Sequence, residues 1–408
     1  MPDDPLVSLI APSLLQRLAG SQPLATGMLA SGPGSVVYGT FGGVDALAAR
    51  LIACGRAGED ALRRMLDRLF GALNTVVEEH GGGVVHFGDA TFVAALRPAG
   101  PYAPGRAADD VEHAFACALA LQARLASFLA IEGPIISSQL QGSGNGTPLV
   151  APLRLGVGAG THTEVCAGEP VKGRQYFVAG AALDEAIAAH AMARPGEVIA
   201  GSTALGLALG MAELGLRTQF GLVAGTPSLE ALGGQSPAPL PAPAAAALSA
   251  CLPAALRLRA ARSDGLRGGT QRAAVLAVRW PAHAEPGVVQ GHVAAAARLA
   301  AAGDGCIVEV LAGGAQPGML LFFGVAAPEE NAQAQALRCA RTLRDAAPGI
   351  SLAVAAGPVF AGAFGSERRR CFIAIGAPVL EARRLAAQAA PGLVWLAAPD
   401  AEHAQAFM

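Results

Sequence analysis

The chain has 408 residues, of which 52% are hydrophobic and 15% are charged, and its formal net charge is −2. This length predicts two or three domains with buried cores. The net charge gives no indication of a basic surface for nucleic acid. The sequence contains no run of roughly 18 apolar residues, the length that a membrane span requires. Residues 1–5 lack the basic and then apolar order of a secretory signal, so we expect a cytoplasmic location.

Hydrophobic periodicity divides residues 1–225 into a lead-in and a mixed domain. Residues 1–34 contain an amphipathic helix at Leu6–Ala19 and a Gly/Ser-rich join, and residues 35–225 form the first domain. Its helices are predicted at Ala46–Cys54, Asp60–His80, Val111–Ile131 and Ala182–Met192, and its strands at Ser35–Tyr38, Val84–Phe87, Thr91–Leu96, Leu153–Gly158, Gln175–Ala179 and Glu197–Ala200. Residues 132–148 predict a mobile loop.

The same order of elements returns after a linker. Residues 226–269 are dominated by Pro, Ala and Gly, which is typical of a linker. Residues 270–408 form a second domain, with elements predicted at Ala273–Val278, Val289–Ala302, Cys306–Phe323, Glu330–Ala346 and Ser351–Ala355. The fold class is therefore α+β, with a sheet in each domain covered by helices on one side.

Several common sites are excluded by residue type and spacing. Seven cysteines form no CxxC pair and show no zinc spacing, so we expect buried thiols. Lys172 is the only lysine and lies outside any Walker-type phosphate loop. The glycine run at 156–161 lacks the third glycine and the parallel strand-helix-strand unit of a dinucleotide site.

A repeat held in constant register relates the two domains. The segments Gly160–Gly196 and Gly357–Gly392 share a framework, and its landmarks are offset by 196 positions. The paired landmarks are Arg174 and Arg370, Tyr176 and Phe372, Gly180 and Gly376, Ala181 and Ala377, Glu185 and Glu381, Ala186 and Ala382, Pro195 and Pro391, and Gly196 and Gly392. This recurrence indicates homologous domains, so we expect the function to lie between them.

These motifs resemble the class III nucleotidyl cyclase domains, in the tandem arrangement of soluble-type adenylyl cyclases. Val36–Leu51, the helix around Phe70 and the segment Phe87-Gly88-Asp89-Ala90 are similar to the family's first strand, helix and metal-binding hairpin. Gly357–Gly376 is similar to its strand, loop and strand. The resemblance implies two ferredoxin-like domains paired face to face, as an internal pseudo-dimer within a monomer, with two sites in the groove between them.

The resemblance also implies that the two domains contribute different catalytic residues. One domain normally supplies two aspartates for two metal ions, and the other supplies purine-selecting residues, an Asn and an Arg. Here Thr40 stands at the first metal position, Asp89 at the second and His86 at the position of a lysine. On the helix, Leu380 replaces the Asn, whereas Arg384 retains the arginine that stabilises charge on the phosphoryl group.

The reciprocal site departs further from the family pattern. Arg279 takes the first Asp position, Glu309 the lysine position, and Gly313–Gly314 the region of the second Asp. Asp184 and Ala188 replace the Asn and the Arg on the first domain's helix. The second domain is therefore expected to hold no metal pair. The base-selecting positions are Ala181 and Ala377.

Each candidate residue also has a structural interpretation. Asp89 is either a metal ligand or a turn residue, and Arg384 is either a phosphate contact or part of a solvated helix face. His86 is either a contact to bound nucleotide or an ordinary histidine on a strand face. Asp184 and Glu185 are adjacent on a helix and point about 100° apart, which favours structural roles.

Retention of the framework together with loss of the carboxylates predicts a pseudo-cyclase. Such a regulatory module would bind a nucleotide or a small anion in the groove and signal to a protein partner. We expect neither nucleic acid nor a membrane as a partner, and the sequence identifies no certain cofactor. The alternative is an active adenylate or guanylate cyclase that converts ATP to cyclic AMP and pyrophosphate with Mg²⁺ or Mn²⁺, through Asp89 and Arg384. A third alternative is a structural interaction module that binds no ligand. The sequence leaves open whether the protein is an enzyme.

Overall fold

The computed structural model describes most of both predicted domains. The described residues are 6–19, 26–88, 90–96, 106–139, 151–169, 172–208, 213–217, 220–224, 251–262, 265–325 and 331–397. Asp89 and most of the predicted linker, residues 226–250, lie outside these ranges.

The first half forms an eight-stranded sheet flanked by helices. Its strands are β1 Gly27–Gly42, β2 Gly82–Phe87, β3 Thr91–Leu96, β4 Ala151–Glu169, β5 Gly173–Ala179, β6 Val198–Ala200, β7 Glu213–Arg217 and β8 Phe220–Ala224. Its helices are α1 Pro12–Ala19, α2 Val44–Ala53, α3 Gly55–Glu79, α4 Arg106–Gln139, α5 Ala181–Met192 and α6 Ser202–Leu207, with a 3-10 turn at Val7–Leu9. The sheet order is β2-β3-β1-β4-β6-β8-β7, and β5 pairs with β4.

The second half forms a six-stranded sheet with the same core order. Its elements are α7 Ala254–Ala260, β9 Gly269–Arg279, α8 Pro286–Ala302, β10 Cys306–Leu311, β11 Gly318–Phe323, α9 Ala332–Ala346, β12 Ser351–Gly365, β13 Arg370–Ile375, α10 Ala377–Gln388 and β14 Val394–Leu396. The order β10-β11-β9-β12 repeats β2-β3-β1-β4, and β13 and β14 both pair with β12 as β5 and β6 pair with β4. The sequence repeat is thus a repeat of topology.

Helices cover both faces of each sheet, which corrects the expectation of one covered side. On β1, Val37 and Phe41 pack in the cluster that contains α3 and α4, whereas Val36 and Tyr38 pack against α5. The second half repeats this, with α8 and α9 on one face and α10 on the other. Alternate residues of a strand point to opposite faces, so consecutive apolar residues such as Val36 and Val37 require cover on both sides.

The two halves exchange the far ends of their long hairpins. Phe360 and Phe364 of β12 are buried in the core of the first half. In return, Val165 of β4 and Phe177 of β5 are buried in the core of the second half. Full burial of one such side chain contributes roughly 1.5–3 kcal/mol. This reciprocal packing joins the halves as an internal pseudo-dimer.

Three local features differ from the sequence expectations. Helix α4 continues to Gln139 across the start of the predicted loop, and residues 140–148 lie outside the described ranges. Helix α7 lies within the predicted linker and docks through the buried Arg259, whose guanidinium donates to the carbonyls of Gly265 and Val325. Cys54 is exposed, whereas the other six cysteines are buried as expected and all seven are free.

Within the described residues, no helix is long and apolar enough to cross a membrane.

Candidate ligand groove between the two halves

Two glycines precede the helices that border the groove and fix where each helix begins. Gly180 and Gly376 join β5 to α5 and β13 to α10 with φ angles of 109° and 155°. A Cβ atom at these positions would lie 2.5 Å from the carbonyl oxygen of Thr161 and 2.9 Å from that of Pro358. Side chains rarely tolerate either this conformation or this approach, so each helix is held against its own sheet by a glycine.

Arg384 lies on the solvated face of α10. Its Nε and Nη2 atoms donate to Oε2 and Oε1 of Glu381 at 2.8 and 2.6 Å, and Nη1 donates to Gln388 at 3.3 Å. The pair raises the pKa of Arg384 and lowers that of Glu381. The predicted phosphate contact is therefore engaged by a carboxylate on its own helix.

Thr40 is engaged by a histidine that the sequence did not single out. Its Oγ1 shares a hydrogen bond of 2.9 Å with Nε2 of His190 on α5, and the His190 ring meets Tyr38 edge-on at 4.9 Å between centroids. Burial, aided by the charge of Arg154, lowers the pKa of His190 to about 4. The hydroxyl at the position where the resemblance predicted a metal ligand is thus bonded to an imidazole whose pKa is lowered.

Three side chains form a central charge cluster where the halves meet: His86 of β2, Glu309 of β10 and Arg383 of α10. Glu309 is 5% exposed and accepts a hydrogen bond of 2.7 Å from Nη2 of Arg383. The Nε2 atom of His86 lies 3.3 Å from the same carboxylate oxygen. Burial alone would raise the pKa of Glu309, but Arg383 and His86 outweigh it and hold this pKa below its usual range.

The metal-binding hairpin predicted from the sequence approaches this cluster. A Cβ atom on Gly88 would lie 2.7 Å from Oε2 of Glu309 and 3.3 Å from Nε2 of His86. Asp89 follows Gly88 but lies outside the described residues, so its role as a metal ligand stays a prediction. The described residues contain no group of three His, Cys, Asp or Glu side chains placed to hold a metal ion. Because Thr40 is also engaged by His190, the described side chains do not fit a site for two Mg²⁺ or Mn²⁺ ions.

The β10–β11 hairpin of the second half contacts helix α5 of the first half directly. Asp184 on α5 accepts a hydrogen bond of 2.6 Å from the amide of Gly314 in the β10–β11 turn. Gly314 has a φ of 79°, and a Cβ there would lie 2.7 Å from a methyl carbon of Ile187. Asp184 therefore has the structural role expected of it.

The N-terminal segment and the linker cover a small cavity between the halves. Its volume is about 100 Å³, and its walls include Ile10, Leu14, Leu252 and Tyr176. Beside it the buried Arg369 donates to the carbonyl oxygens of Val84 and Val85 at 3.1 and 3.0 Å. These contacts tie the second half to the edge strand β2.

A second cavity, of about 80 Å³, lies at the end of β9 beside Arg279, Glu309 and Arg383. Pockets that enclose organic ligands usually measure about 300–1,000 Å³. This cavity therefore suits an ion better than a whole nucleotide.

The fold has counterparts among solved structures. A class III adenylyl cyclase-like ATP-binding protein from Pseudomonas aeruginosa is 15% identical, and the match covers 90% of this chain and 84% of that chain with a TM-score of 0.51. The guanylyl cyclase Cya2 is 19% identical over 51% of this chain and 100% of that chain, with a TM-score of 0.37. The adenylyl cyclase CyaB from P. aeruginosa is 15% identical over 50% of this chain and 100% of that chain, also with a TM-score of 0.37.

No protein-family model matches the chain, and no curated protein matches it at a significant level. The likeness along 90% of the chain establishes the class III cyclase fold in tandem. The α+β fold class predicted from the sequence is confirmed.

Proposed function

We propose that this chain is a catalytically degenerate class III cyclase-like module that binds a nucleotide or a small anion between its halves and passes this occupancy to a protein partner. The observation that carries the proposal is the replacement of the expected metal-binding residues within a preserved pair of cyclase-like domains. Thr40 is engaged by His190, and Arg279 stands at the equivalent position of the second half. The reciprocal packing of the hairpins is nevertheless retained.

Physical chemistry argues against efficient cyclisation at such a site. Two divalent cations need hard carboxylate ligands, and a threonine hydroxyl already bonded to an imidazole is a poor substitute. The Arg384 guanidinium is paired with Glu381 rather than free to meet a phosphoryl group. Loss of a single transition-state donor typically costs about a hundredfold to a thousandfold in rate, and several are altered here.

Two observations support an anionic ligand. The P. aeruginosa protein that shares the fold is described as ATP-binding, which favours a nucleotide. The cavity at the end of β9 also carries Arg279 and Arg383, and arginines are suited to phosphate and other oxyanions.

Equilibrium binding of fluorescently labelled ATP to the full chain tests the proposal. We expect saturable binding that unlabelled ATP displaces, and weaker binding in Arg383→Gln, which removes a cationic side chain from the central charge cluster. Arg344→Gln, on the exposed surface of α9, is the matched control and should bind as the unmodified protein does. Absence of binding by ATP, GTP and inorganic anions alike would favour the structural interaction module.

A further inference from the structure

We propose that the outer edge of β14 binds a second copy of this chain, so that two β14 strands pair antiparallel about a two-fold axis. The proposal concerns the edge of the second sheet rather than the groove, and it goes beyond the proposed function. The sequence predicted a monomer, whereas this edge favours the association of two chains.

The two halves differ at the edge where β14 lies. In the first half, β6 lies between β4 and β8, whereas in the described part of the second half its equivalent β14 pairs with β12 alone. Strand β8 runs antiparallel to β6, and its Phe220 and Leu222 pack against the cluster that contains Ile199. The side chain of Ile199 is fully buried as a result.

The residue equivalent to Ile199 is an exposed tryptophan. Trp395 stands 196 positions after Ile199 and is 37% exposed. Leu393, two residues earlier and therefore on the same face of the extended segment, is 50% exposed. Two large apolar side chains that share one face of a sheet edge form a surface typical of a protein contact.

The backbone of β14 also has a side that is open to another strand. The carbonyl of Leu393 accepts a hydrogen bond of 3.2 Å from Leu352, and the amide of Ala397 donates to Val354 at 3.1 Å. Alternate residues of a strand direct their backbone groups to opposite sides, so those of residues 394 and 396 point away from β12. The equivalent groups of β6 face β8.

This edge lacks the features that keep natural edge strands from pairing. Such strands usually carry charged side chains or proline, which oppose the addition of another strand. Residues 393–397 contain neither. By contrast β7, the outer strand of the first sheet, has Glu213 and Arg217 at its ends. An uncharged apolar edge is therefore expected to be covered by a partner strand.

A second β14 has the properties that β8 shows are needed. The covering strand must be extended, antiparallel and apolar at alternate positions, as β8 is at Phe220 and Leu222. In β14 the alternate apolar residues are Leu393 and Trp395. A two-fold axis makes the two strands antiparallel, and one contact covers both edges. Because few residues of each chain take part, we expect a weak and reversible dimer.

Sedimentation equilibrium of the full chain over about 1–200 µM, a range in which weak contacts associate, tests the proposal. We expect the mass to rise reversibly from one chain towards two. Trp395→Glu should weaken association about tenfold or more, because pairing would bury a carboxylate. Leu258→Glu is the matched control, since Leu258 is 62% exposed on α7, and it should associate as the unmodified protein does. Thermal melting of each variant confirms that it is folded.

Hydrogen exchange distinguishes strand pairing from a general apolar contact. The amides of Val394 and Leu396 point to the outer side of β14, so in the unmodified protein they should exchange more slowly at 200 µM than at 1 µM. A chain that stays a monomer throughout this range would overturn the proposal. So would a dimer that Trp395→Glu leaves intact, or one in which these amides are not protected.

Discussion

His86 Nε2 lies 3.3 Å from Oε2 of Glu309, and these residues occupy the same motif position in the two homologous halves. Equivalent residues that touch must lie at the pseudo-two-fold axis. In a symmetric dimer they would be identical, and two carboxylates or two imidazolium ions would repel each other. A tandem chain permits an imidazole to face a carboxylate, and Arg383 from one half alone completes the cluster.

Replacement of Glu309 should destabilise the protein through Arg383. Glu309→Gln removes the buried carboxylate and leaves the Arg383 guanidinium without its charge partner. We expect the free energy of unfolding to fall by about 2–4 kcal/mol at pH 7, measured by urea denaturation. The folded pKa of Glu309 is lowered, so its contribution is present above its unfolded pKa and is lost as pH falls through the folded value. The difference between the two proteins should therefore narrow in acid.

Glu381→Gln is the control for that experiment. Glu381 pairs with Arg384 on the exposed face of α10, and surface pairs contribute about 0–1 kcal/mol. An equal loss of stability in Glu309→Gln and Glu381→Gln would contradict the buried character of the central charge cluster.

His190 should impose a pH dependence on stability between pH 4 and pH 6.5. Its pKa is about 4 in the folded chain and has the ordinary value of 6.5 when unfolded, so in this window the unfolded chain binds a proton that the folded chain does not. Stability is full above pH 6.5 and should fall by up to roughly 3 kcal/mol as the pH approaches 4.

In His190→Gln this component of the slope should disappear, while the exposed His283→Gln should keep it. Urea denaturation at intervals from pH 4 to pH 7 provides the measurement. A variant His190→Gln with an unchanged slope would show that the imidazole is not held neutral beside Thr40.

Replacement of the Asp67 carboxyl by an amide should stabilise the protein. Burial raises the pKa of this carboxyl on α3, despite a 3.4 Å hydrogen bond from the amide of Gly365 and the nearby Arg370. Its stabilising contribution is thus present below the unfolded pKa and lost as pH rises, so Asp67→Asn should raise the melting temperature at pH 7. Single changes of this kind are typically worth about 1 kcal/mol or less.

Asp60→Asn, on the same helix, should act in the opposite direction. The pKa of Asp60 is lowered by Arg267 and Arg63, so loss of its charge should lower the melting temperature slightly. The same sign for both variants would contradict this account of α3.

The exchanged hairpins should make the halves unfold together. Phe177 belongs to the first half but packs in the cluster that contains Trp280 of the second. Phe177→Ala should therefore lower the stability reported by tryptophan fluorescence by about 3–5 kcal/mol. Both tryptophans of the chain, Trp280 and Trp395, lie in the second half, so an unchanged fluorescence transition would mean that the halves unfold independently.

The order of elements was predictable because it depends on local patterns. Apolar periodicity placed helices near α3, α5 and α9, and the glycines at 81–83 placed the hairpin that follows α3. The repeat offset of 196 predicted that Gly180 and Gly376 have the same role, and both begin a helix with positive φ.

The arrangement of the candidate groove depends on contacts between distant residues, which periodicity does not encode. Arg383 and Arg384 are adjacent on one helix and point about 100° apart, and only the fold decides that Arg383 meets Glu309 while Arg384 meets Glu381. His190 lies 150 residues from Thr40 and shares no motif with it. Its sole sequence signal is a polar residue on the otherwise apolar face of α5.

Cyclic nucleotide production is the most direct test of the central claim that the paired fold has been kept without its catalysis. Purified full-length chain should be incubated with ATP or GTP and Mn²⁺, and the products read by mass spectrometry, alongside Asp89→Ala and Arg384→Ala. We predict no cyclic AMP or cyclic GMP above the level without protein. Product that forms with the unmodified chain and disappears in both variants would contradict the claim and assign catalytic roles to Asp89 and Arg384.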